Sequence, residues 1–253
     1  MKGVKFNLVF VIALFIGLSA NAQKQNTHVQ QTWLNYFNQT RFSDKWGIWV
    51  DASLRTKENW VEELSQTIGR VGLTYYLSNN TKLTAGYAYV HHYPADSHPD
   101  VAQPEHRPWQ QVQWHNNKPN LRMMQWMRLE ERFRRKIKDA DELADGYNFN
   151  YRIRYNMLLA LPLSKQPFAP GTLSGVLNNE VHINFGDEIT YNTFDQNRLF
   201  LGFFYHVNKH DQIQAGYMNL YQQLPAGNKY RVVHTARISY FHNLDLRSQK
   251  KSN

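Results

Sequence analysis

The chain has 253 residues, a formal net charge of +9 and no cysteine, so disulfides, thiol catalysis and cysteine-ligated metals are excluded. Seven Trp, 15 Tyr and 14 Phe stand in a sequence of negative mean hydropathy. After the first residues, no stretch approaches the ~20 consecutive apolar residues that a spanning helix needs.

Lys2 and Lys5 precede an apolar run from Leu8 to Leu18, and Ala20-Asn21-Ala22 supplies small residues for cleavage before Gln23. The run is too short for a spanning helix, and no cysteine follows it to direct lipoprotein processing. Residues 1–22 therefore read as a cleaved signal peptide, with a retained anchor as the alternative. Residues 23–253 read as a single domain, because β domains of that size often stay undivided. Cleavage removes two lysines and no acids, which leaves a net charge of +7. A basic balance also suits nucleic acid, but an exported chain does not meet it, and no nucleic-acid partner is expected.

Apolar and polar residues then alternate with a period of two from near residue 31 to the C-terminus. In Trp46–Thr56 one face carries Trp46, Ile48, Val50, Ala52 and Leu54, and the other Gly47, Trp49, Asp51, Ser53 and Arg55. In Tyr147–Pro162, Tyr151, Ile153, Tyr155, Met157, Leu159 and Leu161 oppose Arg152, Arg154 and Asn156. Such runs exceed the usual globular strand of ~5–6 residues and match a tilted crossing of a bilayer. Candidate strands fall near 31–40, 46–56, 64–77, 81–92, 107–116, 122–136, 147–161, 174–186, 196–207, 211–222 and 231–242. Tight turns at Ser78-Asn79-Asn80, Asn116–Pro119 and Asn208–His210 alternate with longer segments at 93–106, 137–146 and 187–195, as periplasmic turns alternate with external loops. The long 162–173 connection breaks that alternation.

The expected fold is all-β: an antiparallel transmembrane barrel in the outer membrane of a Gram-negative cell. Eleven candidates conflict with the even strand numbers of bacterial barrels. Counting back from a periplasmic C-terminus, residues 31–40 would run inward from outside. Ten strands are therefore expected, with 31–40 left out, or twelve with one more. Leu121–Lys138 also admits an amphipathic helix carrying Met123, Met127 and Ile137, although its neighbours are strands. The final strand ends in Tyr240-Phe241, a terminal aromatic suited to recognition by the barrel assembly machinery during biogenesis.

If the apolar faces meet lipid, parity turns Asp51, Arg55, Arg70, Arg128, Glu130, Arg132, Arg152, Arg154, Glu180, Arg198 and Arg237 inward. An arginine facing lipid at the midplane would cost ~2–4 kcal/mol. Buried charges must pair, so the interior is expected to be an ion-pair network that rigidifies the barrel, with Glu130 bound by arginines of neighbouring strands. Because arginines outnumber acids, a narrow anion-preferring passage is the functional reading. Arg134, Arg135, Lys136 and Lys138 lie in the densest basic run, at the outer end of a strand, and are expected to contact lipopolysaccharide phosphates.

No metal or cofactor is expected. Asp139, Asp141, Glu142 and Asp145 lack calcium-loop spacing, and the neighbours His91 and His92, grouped with His98, point to opposite faces of a strand. No catalytic residue is assigned. Two alternatives stand beside a non-enzymatic barrel: a barrel enzyme acting on lipid or surface polymer, with His182 and Glu180 as its candidates, and a secreted soluble β-protein.

Arg128-Leu129-Glu130-Glu131-Arg132-Phe133, Arg152-Ile153-Arg154-Tyr155, Asn179-Glu180-Val181, Phe194-Asp195-Gln196-Asn197-Arg198 and Gly216-Tyr217-Met218-Asn219 follow one another in an order that resembles the DUF 2490 family. The resemblance runs from about Trp33 to Phe241. It implies an outer-membrane barrel reached through export, with no assigned activity and no catalytic residues to carry over.

Overall fold

The computed structural model describes residues 24–95 and 99–247. The signal-peptide reading of residues 1–22 and the position of His98 lie outside them. The described chain is strands and connections: β1 (Gln25–Arg41), β2 (Trp46–Glu58), β3 (Glu62–Tyr76), β4 (Thr81–His92), β5 (Gln103–Lys118), β6 (Leu121–Ile137), β7 (Leu143–Pro162), β8 (Thr172–Phe185), β9 (Phe194–His206), β10 (Asp211–Gln223) and β11 (Lys229–Asp245). Each sequential pair is antiparallel, and β1 closes the barrel by pairing in parallel with β11 from Gln25↔Lys229 to Arg41↔Asp245.

Eleven strands correct the expected ten or twelve. The even-number argument holds only when every neighbour is antiparallel. Here β1 is a full strand that meets β2 antiparallel on one side and β11 parallel on the other. The first described residues and the C-terminal residues therefore lie at opposite ends. The end holding 42–45, 77–80, 119–120, 163–171 and 207–210 is the turn end. The other, with 93–95, 99–102, 138–142, 186–193 and 224–228, is the loop end. The helical alternative for Leu121–Lys138 is also overturned: β6 pairs with β5 and β7 along its length, which satisfies its backbone across strands.

Alternation places residues on two faces. Outward faces carry Val71, Leu73, Leu177, Leu199, Leu201 and Ile238 in the open, Leu201 at 66% exposure. Inward faces carry Glu105, Glu130, Gln113, His182, Asn184 and Gln214, each at most 2% exposed. The packed interior is polar and aromatic, and the surface is apolar.

Two glycine pairs admit large rings into that interior. Gly72 and Gly86 face one another across β3 and β4, and Trp109 lies over them, so a Cβ on Gly86 would meet its indole at 2.8 Å and Val71 O at 2.2 Å. Gly202 and Gly216 pair likewise across β9 and β10, beneath Phe200, whose Cζ would be 2.6 Å from a Cβ on Gly202. The rings fill space that side chains would otherwise occupy.

Candidate functional site

The site is the charged lumen. Strand register decides which inward charges meet. Glu130 on β6 stands opposite Arg152 on β7, and Glu180 on β8 opposite Arg198 on β9. Because Arg152 and Arg154 are two residues apart, both point inward from one strand. Arg152 Nη2 donates to Glu130 Oε2 at 2.5 Å, and Arg152 Nη1 to Asp195 Oδ2 at 2.8 Å. Arg154 Nη1 donates to Glu130 Oε1 at 2.6 Å, while its Nε reaches Glu180 Oε1 at 2.7 Å. Arg198 Nη1 lies 3.4 Å from Glu180 Oε2. A continuous chain of charge-assisted bonds thus crosses β6, β7, β8 and β9.

A second cluster lies nearer the loop end, around the fully buried Glu105. Its carboxylate accepts from Arg107 Nε at 2.5 Å, Arg132 Nε at 2.7 Å and Arg134 Nη2 at 3.1 Å, with His92 Nε2 at 2.8 Å. Across the barrel, Asp51 accepts from Arg70 Nη1 at 2.5 Å and from the Trp49 indole at 2.6 Å. Each carboxylate has enough donors to offset the desolvation of an ion held away from water.

The remaining arginines rest on rings and amides. Arg55 lies 3.7 Å over Trp33 and donates to Gln66 Oε1 at 3.0 Å. Arg237 lies 3.9 Å over Phe200 and donates to Gln214 Oε1 at 2.8 Å. Arg128 lies 4.3 Å over Trp109, donates to Gln111 Oε1 at 2.9 Å, and stands 3.9 Å from Glu130. These contacts hold a guanidinium without neutralising it. Arginines therefore exceed the carboxylates they meet.

Three cavities succeed one another along the axis. The loop-end cavity, about 360 Å³, and the middle cavity, about 150 Å³, share Trp33, Arg55, Arg70, Arg154 and Arg198 as walls. The turn-end cavity, about 550 Å³, shares Gln39, Met124, Leu158 and Phe241 with the middle one. Among the described residues, nine arginines line the loop-end cavity, six the middle one and two the turn-end one.

All the residues assigned inward from the sequence, namely Asp51, Arg55, Arg70, Arg128, Glu130, Arg132, Arg152, Arg154, Glu180, Arg198 and Arg237, are brought to this lumen. The basic run divides. Arg134 turns inward to Glu105 and leaves the set expected at lipopolysaccharide, because it shares parity with Arg132. Arg135 pairs with Asp145 at 3.2 Å and Lys138 with Glu142 at 2.6 Å, both at the loop end, where Lys136 is exposed. Sequence reasoning missed Glu105 and Arg107, although they share alternation with Trp109 and Gln111. The candidate strand began at 107 and cut Glu105 off. Asp195 was missed for another reason: a register shift between His182 and Ile183 sets it inward, and no periodicity announces that.

The histidine pair does not form a metal set, and no group of three or more ligands does so among the described residues. His92 turns to Glu105, while the ring of His91 stacks edge-on against Tyr93. His182 Nε2 lies 3.0 Å from Glu180 Oε1. The serine–histidine contact of the lumen is elsewhere, between Ser174 Oγ and His206 Nε2 at 2.9 Å.

Among curated proteins, none matches the chain. A family model described as a protein of unknown function, DUF2490, matches residues 30–231, which spans β1 to the start of β11. That is most of the chain, and the protein belongs to the DUF2490 family.

Proposed function

We propose that the protein is a Gram-negative outer-membrane barrel whose arginine-rich lumen is a narrow, anion-preferring passage. The observation that carries this reading is the inverted distribution of polarity: leucines and valines open on the outside, carboxylates and guanidiniums buried within. In water such an exterior would be a very large apolar patch. In a bilayer it is the lipid face.

Aromatic pairs near both ends support the same placement. Trp46–Tyr75 and Tyr36–Tyr240 lie toward the turn end, while Phe133–Phe149, Tyr151–Phe185 and Tyr221–Tyr230 lie toward the loop end. Interfacial girdles of this kind flank the apolar band of membrane barrels. With the turn end in the periplasm, Arg135, Lys136 and Lys138 reach the outer leaflet, where lipopolysaccharide phosphates are their partners. Engagement of the assembly machinery through the Tyr240-Phe241 end belongs to the same reading.

The anion preference follows from the excess of arginine over carboxylate along the cavities. The ion-pair chain through Glu130, Arg154 and Glu180 favours a second reading, in which the lumen is a static strut that conducts nothing. Two measurements test both. The unboiled protein from outer-membrane fractions should migrate apart from the boiled sample, and planar bilayers should give small anion-selective conductance steps. Recovery as a soluble, non-shifting protein would sink the membrane reading. A folded, silent barrel would leave the strut.

A further inference from the structure

Four residues that line the middle cavity each carry a buried donor without a partner. Nε of Arg55, Nε of Arg70, Nε of Arg237 and Nε2 of Gln214 are buried without a hydrogen-bond partner, and all four residues line the same cavity of about 150 Å³. Each is held by its other atoms. Arg70 is tied to Asp51 by Nη1, and Arg55 to Gln66 by Nη1. Arg237 is tied to the carbonyl oxygen of Gln214, which commits that amide to present its nitrogen. Neither Arg55 nor Arg237 has a carboxylate partner, and in register they flank Trp33, which pairs with Arg55 on β2 and Arg237 on β11.

Buried guanidinium edges without a partner are unfavourable unless an anion or water completes them. Three anchored guanidiniums and one amide thus stand on neighbouring strands, β3, β2, β11 and β10, around β1, and bring N–H groups and positive charge to one cavity, the chemistry that recognises a compact oxyanion. One acceptor, Asn156 Oδ1, is also buried without a partner on the same cavity. It is suited to the hydroxyl of a protonated oxyanion such as hydrogenphosphate.

We propose that the middle of the lumen is a binding site for a small oxyanion of the phosphate class, held by Arg55, Arg70, Arg237 and Gln214. This deepens the reading of the lumen as an anion path: the ion is held in the smallest of the three cavities, between the two larger ones, and passes by exchange at that site. Two sources share the chemistry, free phosphate and a small phosphomonoester.

The test is calorimetric titration of the full folded barrel in non-ionic detergent micelles, at constant ionic strength set with chloride. Inorganic phosphate and glycerol phosphate are the probes. Saturable binding of inorganic phosphate alone assigns the free ion, and tighter binding of glycerol phosphate assigns the ester. Arg55→Gln and Arg237→Gln should each weaken binding roughly tenfold or more. They should also raise the melting temperature in phosphate-free buffer, because each removes an unpaired buried charge. A merely structural arginine would lower the melting temperature and leave the titration unchanged. Arg237→Lys, which keeps the charge but not the fork, should bind more weakly than wild type yet fold alike, and it serves where the Gln variants fail to fold. Absence of saturable binding to either probe, or equal binding by wild type and the variants, overturns the proposal. The titration needs no membrane, so a silent barrel that binds phosphate refutes the passage alone, and a conducting barrel that binds none refutes the site alone.

Discussion

Arg154 donates to Glu130 through Nη1 at 2.6 Å, and the same guanidinium holds Glu180 through Nε at 2.7 Å, so one side chain on β7 ties β6 to β8. Glu130 in turn receives Arg152 and stands 3.9 Å from Arg128. Removing this carboxylate leaves several guanidiniums buried together. We expect Glu130→Ala to destabilise the folded barrel by about 3–5 kcal/mol, since breaking a buried pair leaves an uncompensated charge. Asp145→Ala, which cuts only the exposed pair with Arg135, should cost at most about 1 kcal/mol. Urea unfolding in micelles, followed by tryptophan fluorescence, compares the two. Equal midpoints would mean that the Glu130 network contributes no stability.

Leu201 is 66% exposed on the outer face of β9. In water an arginine there would be tolerated, whereas facing lipid near the midplane it would cost about 2–4 kcal/mol. Leu201→Arg should therefore lower the stability of the barrel in phospholipid vesicles and its recovery in the outer membrane. If the variant matches wild type in vesicles, the lipid-face assignment fails.

A Cβ on Gly86 would stand 2.2 Å from Val71 O and 2.8 Å from the Trp109 indole, while one on Gly69 would meet nothing within 4 Å. Gly86→Ala should cost about 1–3 kcal/mol as an overpacked site, and Gly69→Ala should be close to neutral. The fraction of heat-shifted species on a gel, after refolding across a urea series, reads the difference. A benign Gly86→Ala would show that Trp109 moves freely off its seat.

With the turn end periplasmic, an epitope placed in 138–142 should be reached by antibody on intact cells, and one in 163–171 only after the outer membrane is permeabilised. Because β1 runs parallel to β11, an epitope between Lys24 and Gln25 should behave like the first. The opposite labelling pattern would invert the barrel and move Arg135, Lys136 and Lys138 to the periplasmic side.

Replacing both Arg55 and Arg237 by Gln should shift the reversal potential under a salt gradient away from anion selectivity. Neither arginine bonds a carboxylate, so the ion-pair chain through Arg154 stays intact in the double variant. An unchanged reversal potential would place the selectivity elsewhere along the lumen.

Much of this architecture is legible in the sequence. Alternation in Trp46–Thr56 and Tyr147–Pro162 separated a lipid-suited face from a charged one, and every candidate strand corresponds to a strand of the barrel. Parity alone sent Arg152, Arg154, Glu130 and Glu180 inward, because successive side chains of a strand must point to opposite faces.

Three things depended on tertiary structure. The strand number turned on β1, whose parallel pairing with β11 joins residues more than 200 positions apart and has no local signature. Asp195 reached the lumen through a register shift, which moves a side chain to the other face without changing composition. The unpartnered edges of Arg55, Arg70 and Arg237 emerged only once closure set which carboxylates each guanidinium could reach. A sequence with period two states which side of a sheet a charge occupies. Which opposite charge it meets, and which it fails to meet, is a matter of register and curvature, and those are settled when the strands close on one another.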